Sequence, residues 1–340
     1  MTWDQIDWAA LDRLRAGFLN GGATRGPYWT SPADLASYDL TFAERIGWKW
    51  DALLRELSLR RWSPQAGTTL LDWGCGSGIA GRRVAAAFGP GHFAALHVWD
   101  HSEHARAYAV TRARENFPNF SVAASTGEPT PATLPADYTL VLSHVLNELS
   151  ADQRTALLAL VAGANAVLWI EPGTHADSRA LAFVRDQLRD GPHRIIAPCT
   201  HRETCPLFHA ANERDWCHFF APPPAGIQND SNWVRFAHRA GIDLRSQAYS
   251  CLVLDRTAAN AAFPADSARL LGRPEVFKPY ARFLACDSTG LHWLELPKRT
   301  DPVLVKRLDK NPHVPLYALA HDGRQATSMR PLVGETDAGQ

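Results

Sequence analysis

A chain of 340 residues that is 46% hydrophobic and 21% charged carries enough apolar material for one large core or two smaller ones, which excludes a disulfide-stapled miniature fold and an intrinsically disordered chain. Its 35 basic and 35 acidic residues cancel, so the molecule as a whole does not attract polyanions, although a local basic patch remains open to it. No apolar run is long enough to span a bilayer, and MTWDQIDWAALDRL has neither a basic-then-apolar leader nor an acid-poor, Arg- and Ser-rich one. A cytoplasmic, reducing location is therefore expected, where cysteines serve as metal ligands or catalytic thiols rather than in disulfides.

Residues 1–62 read as a helical N-terminal region, because DWAALDRLRAGFL and FAERIGWKWDALLRELSLRRW repeat apolar positions every three or four residues around a Gly/Pro-rich break. Residues 63–260 change character. TTLLDWG, FAALHVWD, DYTLVLS and NAVLWIEPG are short apolar runs separated by helical stretches, a pattern that predicts an α/β domain with a parallel sheet. Ser150 with Gln153 predicts a capping box at the start of ADQRTALLALVAG, and HADSRALAFVRDQLRDG predicts a helix stopped at Gly191. APPPAG reads as a loop and YSCLVLDR as a strand. Residues 261–320 predict a small β-rich extension, with RFLACDSTGLHWLELPKR as a hairpin turning at DSTG, and residues 321–340 read as a frayed tail.

The stretch LLDWGCGSGIAGRRVA sets Asp72, Gly74, Gly76 and Gly78 between a strand and a helix. Glycines let a backbone approach a ligand closely, and the following helix N-terminus presents unpaired N–H groups. Cys75 inside this loop reads as a small residue only. The spacing D-x-G-x-G-x-G resembles the first motif of class I S-adenosylmethionine methyltransferases, a Rossmann-like α/β fold, more closely than the dinucleotide fingerprint G-x-G-x-x-G. That resemblance implies that Asp72 and the loop hold the methionine end of the cofactor.

Asp100, closing the second strand, is placed to accept hydrogen bonds from ribose hydroxyls. The third strand end, VLSHVLNELS, faces the transferred methyl group in such enzymes, which makes Ser143 a further cofactor contact and His144, Asn147 and Glu148 candidates for the substrate side. The structural alternative is that Ser143 caps a helix whose Val145, Leu146 and Leu149 pack inward. No Asn-Pro-Pro-Tyr or Asp-Pro-Pro-Tyr clamp is present, which argues against methylation of an exocyclic amine.

APCTHRETCPLFHAANERDWCHFF supplies three soft ligands, Cys199, Cys205 and Cys217, where a zinc or iron-sulfur site generally takes four. Spacing leaves Cys251, Cys286, His201, His209 and His218 open as the fourth. Pro198-Cys199 is similar to the Pro-Cys nucleophile of cytosine-C5 methyltransferases, but it comes after the fourth strand rather than at the methyl-facing strand end.

Taken together, PC-x-H-x3-CP, WCHF, the EPG after the fourth strand and the DWGCGSG loop resemble the methyltransferase-like family whose mitochondrial members assist assembly of the ribosomal small subunit. The resemblance runs from about Leu70 to Lys298. It implies a four-iron, four-sulfur cluster on Cys199, Cys205, Cys217 and Cys286, with zinc as the alternative and Cys251 as a core residue. It implies the small subunit or its rRNA as partner, and S-adenosylmethionine-dependent methyl transfer to that rRNA. A non-catalytic, rRNA-binding assembly factor is a second reading, and a small-molecule methyltransferase with structural zinc a third. No residue stands out as a general base beyond His144 and Glu148. Lys298, Arg299, Lys306, Arg307 and Lys310 form either a phosphate-facing patch or a solvated strand edge.

Overall fold

A computed structural model describes residues 1–19, 29–257, 263–309 and 316–332. Its contacts divide the chain into two compact units. The first comprises Met1–Leu54, Ser63–Glu171 and Ala221–Gln247, and the second Arg55–Trp62, Pro172–Phe220 and Ala248–Gln340. Among the described residues no helix is long and apolar enough to cross a membrane.

In the first unit, α1 (Trp8–Leu19) and α2 (Pro32–Tyr38) precede α3 (Glu44–Leu59). Ser31 caps α2 by accepting from Asp34 N–H, and Pro32 opens the helix where its missing N–H costs nothing. A wider π turn, Asp39–Ala43, joins α2 to α3 and buries Asp39, whose carboxylate accepts from Arg82 at 2.5 Å and from Arg112 and Tyr108 at 3.3 Å.

The sheet of this unit consists of β1 (Thr69–Trp73), β2 (Ala95–Trp99), β3 (Val122–Ala124), β4 (Tyr138–Ser143) and β5 (Ala166–Pro172). They run parallel in the order β3-β2-β1-β4-β5. Helices α4 (Ile79–Phe88), α5 (Glu103–Asn116) and α6 (Ala151–Gly163) alternate with the strands. Every residue of the central strand β1 is buried, as expected of a parallel strand covered on both faces. This is the Rossmann-like α/β sheet that the sequence predicts. Strand β3 is not among the four predicted runs, because only one of its three residues is buried and so little alternation survives in the sequence. The capping box is present, with Ser150 Oγ accepting from Gln153 N–H.

In the second unit, α7 (His175–Leu188) stops three residues before Gly191, whose N–H bonds back to the Leu188 carbonyl at 3.0 Å. Strand β6 (Arg194–Ala197) pairs antiparallel with β8 (Gln247–Asp255), which also pairs with β7 (Phe219–Ala221). The remaining strands are β9 (Ser267–Val276), β10 (Tyr280–Asp287), β11 (Gly290–Pro297), β12 (Leu316–Asp322) and β13 (Gln325–Pro331). They close into a barrel in the order β10-β11-β13-β12-β9, around a core that includes Leu270, Phe283, Leu294, Leu296 and Leu319. The predicted hairpin at DSTG is β10–β11.

The structure departs from expectation in three places. The supposed tail from residue 321 contains the end of β12 and all of β13, joined by Gly323-Arg324 with Gly323 at φ +54°. Their outward residues are polar, so the hairpin reads as tail; residues 333–340 lie outside the described residues. The cysteine segment belongs to the same compact unit as the barrel, where its contacts lie, rather than to the methyltransferase-like domain of residues 63–260. Lys306 and Arg307 stand in the last turn of a helix, Pro302–Asp309, not on a strand edge, while Lys310 lies outside the described residues.

A buried ion triad anchors the second unit. Glu56, on the last turns of α3, receives Arg269 in a two-pronged contact at 2.5 and 2.8 Å and also binds Arg60. Arg269 stands on β9, lies 4.2 Å over the Phe219 ring, and is 1% exposed, as is Glu56.

Candidate functional site

The glycine loop has the backbone its sequence demands. Gly74 and Gly78 adopt φ of +70° and +77°, and a Cβ on them would lie 2.6 Å from Val145 Cγ1 and 2.8 Å from Ala109 Cβ. Only glycine satisfies both constraints. Gly76 shares the left-handed conformation, and its N–H bonds to Asp100 Oδ2 at 3.0 Å. Asp100 Oδ1 accepts from Ser102 N–H at 2.8 Å, so this carboxylate braces the loop while keeping lone pairs for further donors.

Asp72 is 1% exposed. Its Oδ2 accepts from Gly81 N–H in the first turn of α4 at 3.0 Å, and its Oδ1 has no hydrogen-bond partner among the described residues. Burial, added to by the Asp100 charge, outweighs the Gly81 N–H and Arg82, and pushes the carboxyl up to about 7. A buried acceptor oxygen without a donor beside a glycine loop is suited to the ammonium of an amino-acid-like ligand.

Such an acid weighs on stability. Because its folded pKa lies above its unfolded value, it makes folding progressively less favourable as pH rises between the two, here from about 4 to about 7. Asp72→Asn is therefore expected to raise thermal stability at pH 8 by an amount corresponding to a few kcal/mol, and to leave it unchanged near pH 3. Melting temperatures at both pH values check this.

At the end of β4 the predicted residues separate. Ser143 caps no helix; it ends the strand, and its Oγ accepts from Trp50 Nε1 at 3.0 Å. Beyond it the chain makes a short 3₁₀ turn, Leu146–Glu148, with Leu146 buried and Asn147 exposed. His144 holds φ +58°, a strained value for a side-chain-bearing residue, with Nε2 at 3.4 Å from Lys49 Nζ. Burial and the charges of Lys49 and Arg45 hold its imidazole well below the ordinary value, so it is neutral and accepts from the ammonium. Glu148 is half-buried, and after desolvation its charge is the next cause holding the Tyr38 phenol high.

Lys49, Trp50 and Glu171 are not anticipated by the sequence reading. Glu171 Oε1 accepts from Val145 N–H, Leu146 N–H and Trp169 Nε1 at 3.2, 3.0 and 2.6 Å, which shapes the turn after His144. The signal that could have found it is the acid of EPG at the end of a wholly apolar strand.

The second unit gathers the thiols. Cys205 and Leu207 form a small core with Ala182, against which Cys217 and Leu291 pack. Burial pushes the Cys217 thiol well up, with thiolates at Cys199, Cys251, Cys205 and Cys286 adding to it. Cys286 is raised by burial and then by Cys199 and Cys205, and Cys205 is pushed up to about 11 by burial and Cys199. The four predicted ligands thus lie within each other's electrostatic reach, three from the segment after β6 and one from β10.

Cys251 is 2% exposed within β8. Of the histidines, His201 approaches Cys286 Sγ at 3.7 Å, while His218 stacks on Trp216 at 4.4 Å. Arg185 is a further residue that sequence reasoning misses. Buried on α7, it donates to the carbonyls of Glu203 and His201 at 2.6 and 2.8 Å, and its guanidinium faces Cys199 and Cys205.

Three potential ligand atoms come within 4.8 Å of one another, among the described residues, at Asp287, His292 and His321 and not at any three of the thiols. Sulfurs on one tetrahedral zinc stand about 3.8 Å apart, given bonds of about 2.3 Å. The thiols are spread more widely than that.

A family model described as mitochondrial small ribosomal subunit Rsm22 matches residues 43–289, which spans both the glycine loop and all four thiols. The chain belongs to the Rsm22 family. No curated protein matches this Rsm22-family sequence. Solved structures with a similar fold include magnesium protoporphyrin IX methyltransferase from Synechocystis PCC 6803 with bound S-adenosylhomocysteine, at 15% identity and TM-score 0.40, covering 75% of this chain and 97% of that one. The N-methyltransferase NodS from Bradyrhizobium japonicum has 13% identity and TM-score 0.38, covering 65% and 91%. A putative RNA methyltransferase from Pyrococcus horikoshii has 12% identity and TM-score 0.36, covering 61% and 83%.

Proposed function

We propose that this Rsm22-family chain acts at the ribosomal small subunit as an S-adenosylmethionine-binding, methyltransferase-like protein, working on the rRNA or on subunit assembly. In this reading Cys199, Cys205, Cys217 and Cys286 hold a four-iron, four-sulfur cluster. The observation that carries it is the family match, which encloses both a glycine loop with an unpartnered buried acceptor and a set of four neighbouring thiols.

Both donor sets fit their groups. Asp72 Oδ1 and the loop would take the methionine end of the cofactor, with Asp100 available to the ribose; bound there, the cofactor supplies an electrophilic methyl carbon. The chain's part is to hold that group in line with its acceptor and keep water away. Four cysteines, three from the segment after β6 and one from β10, match in number and ligand type a cluster in which each thiolate binds its own iron. Buried thiols that raise one another need a cation to ionise, and Arg185 supplies only a single positive charge. Holding segments as far apart as residues 199 and 286, the cluster would act as a cross-link.

One observation favours the assembly reading over turnover. His144, a candidate base just past the end of β4, accepts from Lys49, so its lone pair is already engaged. Incubation of the chain and labelled cofactor with small subunits tests both. Methyl incorporation into rRNA, reduced at least tenfold by Asp100→Ala, is expected of the enzyme. Salt-sensitive co-sedimentation without incorporation would leave the assembly role alone, and absence of both would overturn the proposal.

A further inference from the structure

Renumbered within the barrel, β9 to β13 close in the order 1-2-3-5-4, with β11 and β13 parallel and a helix between the third and fourth strands. That is the connectivity of the OB-fold, whose ligand face is the outer side of its second and third strands and the loops beside them. Here those strands are β10 and β11. Ala281, Phe283, Ala285, Leu294 and Leu296 point into the core, so Tyr280, Arg282, Trp293 and Glu295 point outward.

One end of this outer face is covered, because Leu291 packs on the Cys205–Leu207 core. The other end is open and aromatic. Phe277 and Trp293 are 41% and 42% exposed, and Phe277 meets Tyr280 at 5.1 Å between ring centroids. Arg282 lies 5.6 Å from the centroids of both Phe277 and Trp293, and it is tied to Glu275 on the neighbouring strand. Its guanidinium therefore sets the rings rather than meeting a ligand. Alongside runs a groove of about 870 Å³ lined by Tyr280, Lys298, Arg299 and Arg324, with Glu295 and Asp322 as its acids.

Large rings left in water beside cations suit a strand whose bases stack and whose phosphates pair. The excess of cations over acids in the groove selects a polyanion over the neutral oligosaccharides that this fold also binds. We propose that the β10–β11 face binds single-stranded RNA, with bases stacked on Trp293 and Phe277 and phosphates held by Lys298, Arg299 and Arg324. The choice of RNA as the polyanion rests on the proposed ribosomal function.

The test is fluorescence anisotropy of a labelled oligouridine with the full chain, alongside co-sedimentation with small subunits. Binding is expected, falling roughly tenfold or more between 50 and 200 mM salt for about three phosphate contacts. Trp293→Ala or Phe277→Ala should weaken it by about 5- to 150-fold, the span found for loss of one stacked base, while Trp293→Phe keeps most of it. Val303→Ala, at an exposed position on the barrel's helix, should change nothing, and unchanged melting of the ring variants would show that the barrel stays folded.

Failure to bind the oligonucleotide, or full binding by both ring-to-alanine variants, overturns the proposal. Co-sedimentation retained in the first case would leave the ribosomal reading standing; oligonucleotide binding without co-sedimentation would remove that reading and keep the face. If Trp293→Ala lost subunits although the parent never bound RNA, the face would dock a protein, and the RNA assignment would be wrong.

Discussion

Glu56→Gln is expected to destabilise the fold by about 3–5 kcal/mol, the cost typical of leaving buried charge without its partner. Arg269 is 1% exposed and gives both prongs of its guanidinium to Glu56, so the neutral amide would strand a cation that has no access to water. Burial alone would raise the Glu56 carboxyl, but the charges of Arg269 and Arg60 outweigh it and hold the group at about 2, against an ordinary value of 4.5. That depression corresponds to about 3 kcal/mol.

The folded value lies below the unfolded one, so the stabilisation is complete above about pH 4.5 and is lost as pH falls through about 2. Chemical denaturation followed at pH 7 and pH 3 should show the parent losing much of its advantage over Glu56→Gln at the lower pH. A concerted apolar replacement, Glu56→Leu with Arg60→Met and Arg269→Met, should recover most of the loss, because it removes all three charges together. If the single variant melted like the parent, the triad would not anchor the barrel.

Replacing Cys199 and Cys205 together by serine is expected to have the other large effect. Protein prepared without oxygen should carry iron and acid-labile sulfide in near-equal amounts, and the double variant should lose both along with several degrees of melting temperature. The loss stems from the ligand positions: the segment after β6 supplies three of the four thiols, and with Cys199 and Cys205 replaced, Cys286 on β10 has one remaining partner, Cys217. Stoichiometric zinc without sulfide would overturn the cluster, whatever the melting behaviour. Iron retained by the double variant would reject this ligand set.

Much of the fold could be read locally. The glycine loop, the Ser150 capping box and the DSTG hairpin each depend on residues within a few positions of one another, and each stands where its pattern placed it. Cys199, Cys205 and Cys217 stand close together in the sequence, whereas Cys286 enters only through family resemblance.

The features hidden from a sequence reading depend on distant partners. Glu56 meets Arg269 across 213 positions, and Lys49 meets His144 across 95, so nothing near either residue hints at its role. The hairpin β12–β13 was hidden differently. Its core-facing Ala326 and Met329 stand three apart across a strand pair with a register shift, which breaks the alternation that marks a strand.

Strand β13 is the last of the described strands, and it pairs with β12 along its length and with β11 at Glu295–Gln325. Until residues 325–331 arrive, two earlier strands have bare edges on which any extended chain can template itself. An aborted or nicked chain that stops before them would therefore carry a sticky, proteolysis-prone half-barrel while its thiols and glycine loop were already complete. Pairing with β13 thus covers the edges of β11 and β12 that would otherwise stay open to any extended chain.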